Sequence, residues 1–153
     1  MMTDGRRLRD SAYESLAGEI VAAAVDAIIC ADSEGKIVLW NAAAERMFGF
    51  SAEEAIGRTL DLIIPDKLRE RHWTGYHEVM RTGTTRYATE LLAVPAIRKD
   101  GARISLEFSV ALLRGEDGQP SGVAAVLRDV TERRKRDQET LQRLATLEKR
   151  GSA

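Results

Sequence analysis

The chain has 153 residues, of which 44% are hydrophobic and 31% are charged, and its formal net charge is -1. This length fits one domain with its own core, and the near-zero charge excludes a broad electrostatic grip on nucleic acid. One cysteine excludes an internal disulfide, and no apolar run approaches the ~20 residues of a membrane span. The charged N-terminal region is unlike a secretory signal, so a cytoplasmic location is expected.

The first half of the chain predicts a helix, a hairpin and two short helices. Apolar residues recur at helical spacing over residues 8–25. Two runs rich in isoleucine and valine then flank the turn sequence "DSEG", which is typical of a β-hairpin. Asn41 and Ser51 are favourable helix N-caps, so two short helices are expected across residues 41–57, with a glycine between them.

The second half predicts a long helix, three strands and a final helix. Pro65 and Asp66 open a helix that is expected to end near Gly83. The extended segments that follow are residues 85–97, 103–113 and 121–129. The stretch "TERRKRDQETLQRLATLEKR" has three leucines on a charged background, which predicts an exposed helix. Hairpins separated by helices indicate an α+β fold with one antiparallel sheet and helices on one face.

The two histidines of the chain lie on the predicted long helix and are separated by its periodicity. At ~100° per residue, Leu68, His72, Gly75 and Val79 fall on one narrow stripe. His72 is therefore expected to face inward with apolar residues. His77 lies nearly opposite and is expected to face solvent, so the pair is not expected to share a metal.

Three segments together resemble the PAS sensor domain: "VDAIICADSEGKIVLWNAAAERMFGFSAEEAIGRTLDLIIP", "RKDGARISLEFSV" and "GVAAVLRDVTERR". The resemblance covers about residues 15–135. It implies a five-stranded antiparallel sheet whose concave face holds a ligand against the long helix, and a role in signal transduction. It divides the chain into an N-terminal flanking helix (1–25), a PAS core (26–130) and a C-terminal signalling helix and tail (131–153).

The spacing around His72 resembles that of the haem-binding PAS domains of oxygen-sensor histidine kinases. In that family the long helix carries a proximal histidine that binds the haem iron, and the position corresponds to His72. The resemblance therefore implies haem b with His72 as its metal ligand. Gly75 would leave room for the macrocycle, and Arg86 stands where such sensors keep a partner for a haem propionate.

One departure from those oxygen sensors changes the expected gas chemistry. They place an arginine before the "RKDG"-type turn, and Leu92 occupies that position here. The far side of the pocket is then expected to be apolar, formed by Leu92, Phe108, Val110 and Val123. Such a lining favours carbon monoxide or nitric oxide over a stabilised oxygen complex, and a redox response is a further alternative.

A haem-free reading remains open beside the haem hypothesis. A histidine on an apolar helix face is more often a core residue than a metal ligand, and the chain would then be a PAS interaction module with a packed core or a small apolar ligand. The helix after the hairpin has no cysteine for a flavin photoadduct, and no catalytic motif indicates an enzyme. A homodimer through the flanking helices is expected, together with a separate output protein such as a kinase or transcriptional regulator, and no nucleic-acid or membrane partner.

Overall fold

The structure, a computed structural model, describes residues 4–85 and 92–152, with their side chains except those of residues 4–9 and 92. Its first half contains α1 (Asp4–Ala23), β1 (Ala27–Asp32), β2 (Ile37–Trp40), α2 (Ala42–Phe48), α3 (Ala52–Ala55), a 3-10 turn (Leu60–Leu62) and α4 (Asp66–Thr82). Its second half contains β3 (Leu92–Ile97), β4 (Arg103–Arg114), β5 (Pro120–Asp129) and α5 (Thr131–Gly151).

The five strands form one antiparallel sheet in the order β2-β1-β5-β4-β3. This arrangement confirms the predicted α+β fold and its five-stranded sheet. The first and last strands of the sequence, β1 and β5, pair antiparallel with each other near the centre of the sheet. Helix α1 precedes β1 and helix α5 follows β5, so both helices adjoin the same end of the sheet.

Alternation along the strands gives the sheet two different faces. The inner face carries the buried side chains that pack against α2, α3 and the 3-10 turn, among them Ile29, Leu106 and Leu127. Phe48 from α2 is fully buried on this face and is one of the largest side chains of the core. The outer face carries the alternate residues, including Cys30 and the 43% exposed Val126.

Local capping interactions explain where the short helices begin and end. Ser51 accepts a hydrogen bond from the Glu54 backbone N–H, and the Glu54 carboxylate accepts one from Ser51, which is the predicted capping box. Gly49 ends α2 in the left-handed conformation, which other residues adopt only at a cost in free energy. These contacts lie within four residues, so the sequence pattern was sufficient to predict them.

Several predicted boundaries differ from those in the structure. Helix α1 ends at Ala23 rather than at residue 25, and the 3-10 turn at Leu60–Leu62 was not predicted. The predicted strand at residues 85–97 appears as β3 (Leu92–Ile97), and residues 86–91 lie outside the described part of the chain.

Asn41 does more than cap α2. Its side-chain oxygen accepts hydrogen bonds from Ala44 and from Ile28, and its amide nitrogen donates to the carbonyls of Val21 and Asp26. Asn41 is 6% exposed, and it joins the end of α1, the start of β1 and the start of α2 at one point. Only its role as an N-cap could be read from the local sequence.

The β5–α5 junction is held by the side chains of Asp129 and Thr131. Asp129 accepts hydrogen bonds from the backbone N–H and the hydroxyl of Thr131. The Thr131 hydroxyl in turn accepts from the Ser105 N–H on β4, and Val130 donates its N–H to the Ser105 carbonyl. The N-terminal end of α5 is therefore held to β4 by hydrogen bonds.

Candidate functional site

Helix α4 presents a different face to the sheet from the one that periodicity alone indicated. Tyr76 is its one buried residue among those described, and His72 and Val79 are half-buried beside it. Gly75 is exposed, and a Cβ placed on it would meet nothing within 4 Å. The role of Gly75 in making room for a macrocycle therefore stays a prediction, whereas His77 is exposed as predicted.

The reason is an anchor on the flank of α4 that carries Trp73 and Tyr76. The Tyr76 hydroxyl donates a short hydrogen bond to the Asp32 carbonyl at the end of β1. The Trp73 indole N–H donates to the Asp61 carboxylate over 2.8 Å. These bonds set the rotation of α4 about its axis. With ~100° per residue, the buried side of the helix is then centred on Tyr76. The predicted stripe of Leu68, His72, Gly75 and Val79 is offset from this centre.

Burial raises the pKa of the Tyr76 phenol well above its ordinary value, and the nearby Asp32 charge raises it further. The phenol therefore stays protonated throughout the physiological range and remains a hydrogen-bond donor. The Tyr76 hydrogen bond to the Asp32 carbonyl is therefore kept across that range.

Trp73 also packs against the turn between β1 and β2, and this contact gives a testable prediction. Gly35 has φ +80, and a Cβ on it would lie 2.2 Å from the Trp73 ring. Gly57 has φ +87, but nothing lies within 4 Å of its Cβ position. Gly57→Ala should therefore show the cost of positive φ alone, about 1 kcal/mol, and Gly35→Ala should cost about 3 kcal/mol because the ring must also move.

Urea unfolding monitored by fluorescence would measure both variants. Equal losses of unfolding free energy in Gly35→Ala and Gly57→Ala would contradict the packing of Trp73 on the turn.

His72 lies on α4 beside the Trp73 and Tyr76 rings. The ring centroids of His72 and Tyr76 are 5.8 Å apart. The His72 Nδ1 atom is buried and has no hydrogen-bond partner. Burial lowers the pKa of the imidazole, and the charge of Asp61 opposes this only in part. At neutral pH the ring is therefore uncharged, and it keeps a nitrogen lone pair for a ligand.

The inner face of the sheet is packed at one end and only partly covered at the other. Leu106 and Leu127 are buried in the core, whereas Phe108, Val110 and Val123 are half-buried. Strand register places all three of these on the inner face, because Phe108 pairs with the inward-facing Leu127 and the other two keep the same alternation. The partly covered part is therefore apolar.

Two predicted lining residues cannot be placed by their side chains. The backbone of Leu92 begins β3 and pairs with Phe108, but its side chain lies outside the described part. Arg86 lies outside the described residues altogether.

The structure also identifies residues that the sequence did not single out. Trp73, Tyr76 and Asp61 set the orientation of α4, and a tyrosine four residues after His72 was the only local signal. The partners of Tyr76 and Trp73 are 44 and 12 residues away along the chain, which no helical period reveals. Within residues 4–85 and 92–152, no group of three His, Cys, Asp or Glu side chains is placed to hold a metal ion.

A family model for the PAS fold matches residues 21–135, which is most of the chain. The chain belongs to the PAS family. The five-stranded sheet, with its central β1–β5 pair, agrees with this assignment.

Known proteins similar to this PAS domain include a sensor. The sensor protein FixL of Bradyrhizobium diazoefficiens is 34% identical over 124 residues, covering 80% of this chain and 23% of the relative. The chain thus spans less than a quarter of that relative's length. It is a PAS sensory domain related to such sensors.

Solved structures agree on the fold. The PAS domain of a protein from Colwellia psychrerythraea has a TM-score of 0.69 at 22% identity, covering 78% of this chain and 98% of that chain. An RNA-binding light-oxygen-voltage receptor also has a TM-score of 0.69, at 24% identity, covering 87% of this chain and 37% of that chain. In the part of this PAS domain that the structure describes, no helix is both long and apolar enough to cross a membrane.

Proposed function

We propose that this PAS domain binds haem b through His72 and responds to a diatomic gas or to a change of redox state. The observation that carries the proposal is the His72 imidazole, which has a buried nitrogen without a partner and a lowered pKa. A neutral imidazole is a common axial ligand of haem iron. The resemblance of the His72 spacing to oxygen-sensor PAS domains supports the same assignment.

The chemistry of the side chains present suits such a group. His72 would hold the iron, and Phe108, Val110 and Val123 would enclose the apolar macrocycle, with Leu92 and Arg86 as further predicted contacts. Gly75 is exposed, with nothing within 4 Å of its Cβ position. A haem would supply an iron site for a gas or for one electron, and the role proposed for the chain is sensing rather than catalysis.

The lining determines which gas is favoured. Phe108, Val110 and Val123 have no hydrogen-bond donor in their side chains. A bound oxygen molecule gains from a donor because its bound form is polar, whereas carbon monoxide depends less on one. We therefore propose carbon monoxide or nitric oxide as the gas that this apolar lining suits.

Titration of the purified protein with haemin tests the proposal. A Soret band that saturates at one haemin per chain is the expected result, and addition of carbon monoxide to the reduced form should shift it. A spectrum that stays that of free haemin throughout the titration would overturn the haem assignment and favour a haem-free interaction module with a packed core or a small apolar ligand.

We also propose that two copies pair through their flanking helices. Leu16 and Ile20 on α1 are 56% and 59% exposed, and a largely apolar groove runs between α1 and β2. On α5 the exposed apolar residues are Leu141, Leu144 and Leu147. Burying such surfaces against a second copy stabilises a dimer, and α5 would then carry the signal to a separate kinase or transcriptional regulator.

The dimer is tested by a charge placed in the α1 stripe. Ile20→Asp is expected to convert a dimer into a monomer in sedimentation equilibrium at micromolar concentration, because a carboxylate would have to be desolvated at the interface. Ile56→Asp is the matched control, since Ile56 is also half-exposed but lies beyond both flanking helices. An Ile20→Asp variant that sediments like wild type would contradict pairing through α1.

A further inference from the structure

Four charged side chains of alternating sign cross the outer face of the sheet, from the C-terminal end of α1 to the N-terminal end of α5. They are Asp26, Arg128, Glu107 and Arg133, called here the charge ladder. Asp26 lies in the linker between α1 and β1, and Arg133 lies in the first turn of α5. The ladder therefore joins the two flanking helices at the sheet end where both emerge.

The first step of the ladder is a bidentate ion pair. The Arg128 guanidinium donates to both carboxylate oxygens of Asp26, over 3.0 and 2.8 Å. The backbone pairing of β1 with β5 ends at Ala27 and Leu127, so this pair continues the connection one residue beyond the last backbone pair. The Arg128 hydrogen bond lowers the pKa of Asp26, which keeps the carboxylate ionised.

The next two steps lead from β5 to α5. Arg128 and Glu107 are direct partners in the β4–β5 register and share the outer face. Glu107 also accepts a short hydrogen bond from the Arg133 guanidinium. Glu107 thus has a cation on each side, one from the strand and one from the helix.

The start of the ladder is also connected to α1 by hydrogen bonds. Asn41 donates to the backbone carbonyls of both Asp26 and Val21, which links the segment that carries Asp26 to the end of α1. A rotation of α1 would move the Asp26 carboxylate relative to Arg128. This movement would then change how strongly the Asp26 carboxylate neutralises the Arg128 charge that lies beside Glu107.

We propose that the charge ladder couples the orientation of α1 to the first turns of α5, across the outer face and independently of any ligand on the inner face. Asp26 is a positioning residue in this arrangement, because it acts on α5 only through Arg128 and Glu107. The proposal does not rest on haem binding, and it would operate equally in a haem-free PAS module.

Hydrogen exchange of the full chain, followed by mass spectrometry, tests the coupling. Asp26→Asn should speed exchange in the first two turns of α5 about two- to fivefold at low salt, although Asp26 makes no contact there. High salt should reduce this difference, because the ladder is largely exposed and its charges are screened. Arg133→Gln should have the same effect, and the double variant should add little to either single change.

Glu34→Gln is the matched control, since Glu34 is an exposed, ion-paired carboxylate in the β1–β2 turn, outside the ladder. It should leave α5 exchange unchanged. If α5 exchanges at the same rate in Asp26→Asn as in Glu34→Gln, the proposed coupling is overturned. A uniform acceleration that includes the central strands would also overturn it, because that result indicates general destabilisation instead.

Discussion

Replacing His72 with alanine is expected to abolish the Soret band that haemin produces with the wild-type protein. The imidazole is the one side chain on the described inner flank of α4 that combines a buried, unpartnered nitrogen with a lowered pKa. Without it, the apolar residues of the sheet could still hold the macrocycle weakly, but the iron would lose its protein ligand. Haem affinity should fall by at least about 100-fold, as when a direct metal ligand or its close support is removed.

His77→Ala is the matched control on the same helix. His77 is exposed and lies ~140° around the helix from His72, so its removal should leave the Soret band unchanged. His72→Gly offers a second test, because free imidazole should enter the vacated space and restore the band. Circular dichroism should be native-like in each variant, since His72 Nδ1 has no hydrogen bond to lose. An equal loss of the band in His72→Ala and His77→Ala would contradict ligation by His72.

Replacing Asn41 with alanine is expected to lower the free energy of unfolding by about 4 kcal/mol. Loss of an N-cap alone costs about 1 kcal/mol. The variant also leaves the Ile28 N–H and the carbonyls of Val21 and Asp26 without their buried partner, at roughly 1 kcal/mol each. Urea unfolding at neutral pH would measure the difference.

Ser51→Ala is the control for Asn41→Ala, because Ser51 caps α3 but makes only local contacts. Its expected cost is about 1 kcal/mol. If both variants lose the same free energy, the long-range bonds of Asn41 contribute nothing to stability. The Asn41 variant should also loosen the end of α1, which would appear as faster hydrogen exchange there.

The two histidines show which features of the candidate site could be predicted from the sequence. Helical spacing correctly separated His77 from His72, because both lie on one regular helix. The same spacing centred the inner stripe on residues such as His72 and Gly75, whereas Tyr76 is the most buried residue of α4 and Gly75 is exposed. The difference arose because the stripe was chosen by apolar content, whereas the hydrogen bonds of Trp73 and Tyr76 set the rotation of α4 about its axis.

The sequence by itself determined the order of the elements, the α+β class and the bounds of α4, β4, β5 and α5 to within a residue or so. Capping boxes, turn glycines and strand alternation act within about four residues, so their physical causes are visible in a short stretch of sequence.

Only the tertiary structure decided the face of α4, the three long-range hydrogen bonds of Asn41 and the charge ladder. In each of these, the contacts join residues from 12 to 102 positions apart. Such contacts depend on which strands become neighbours and in what register. That arrangement is set by packing of the whole core rather than by any local pattern.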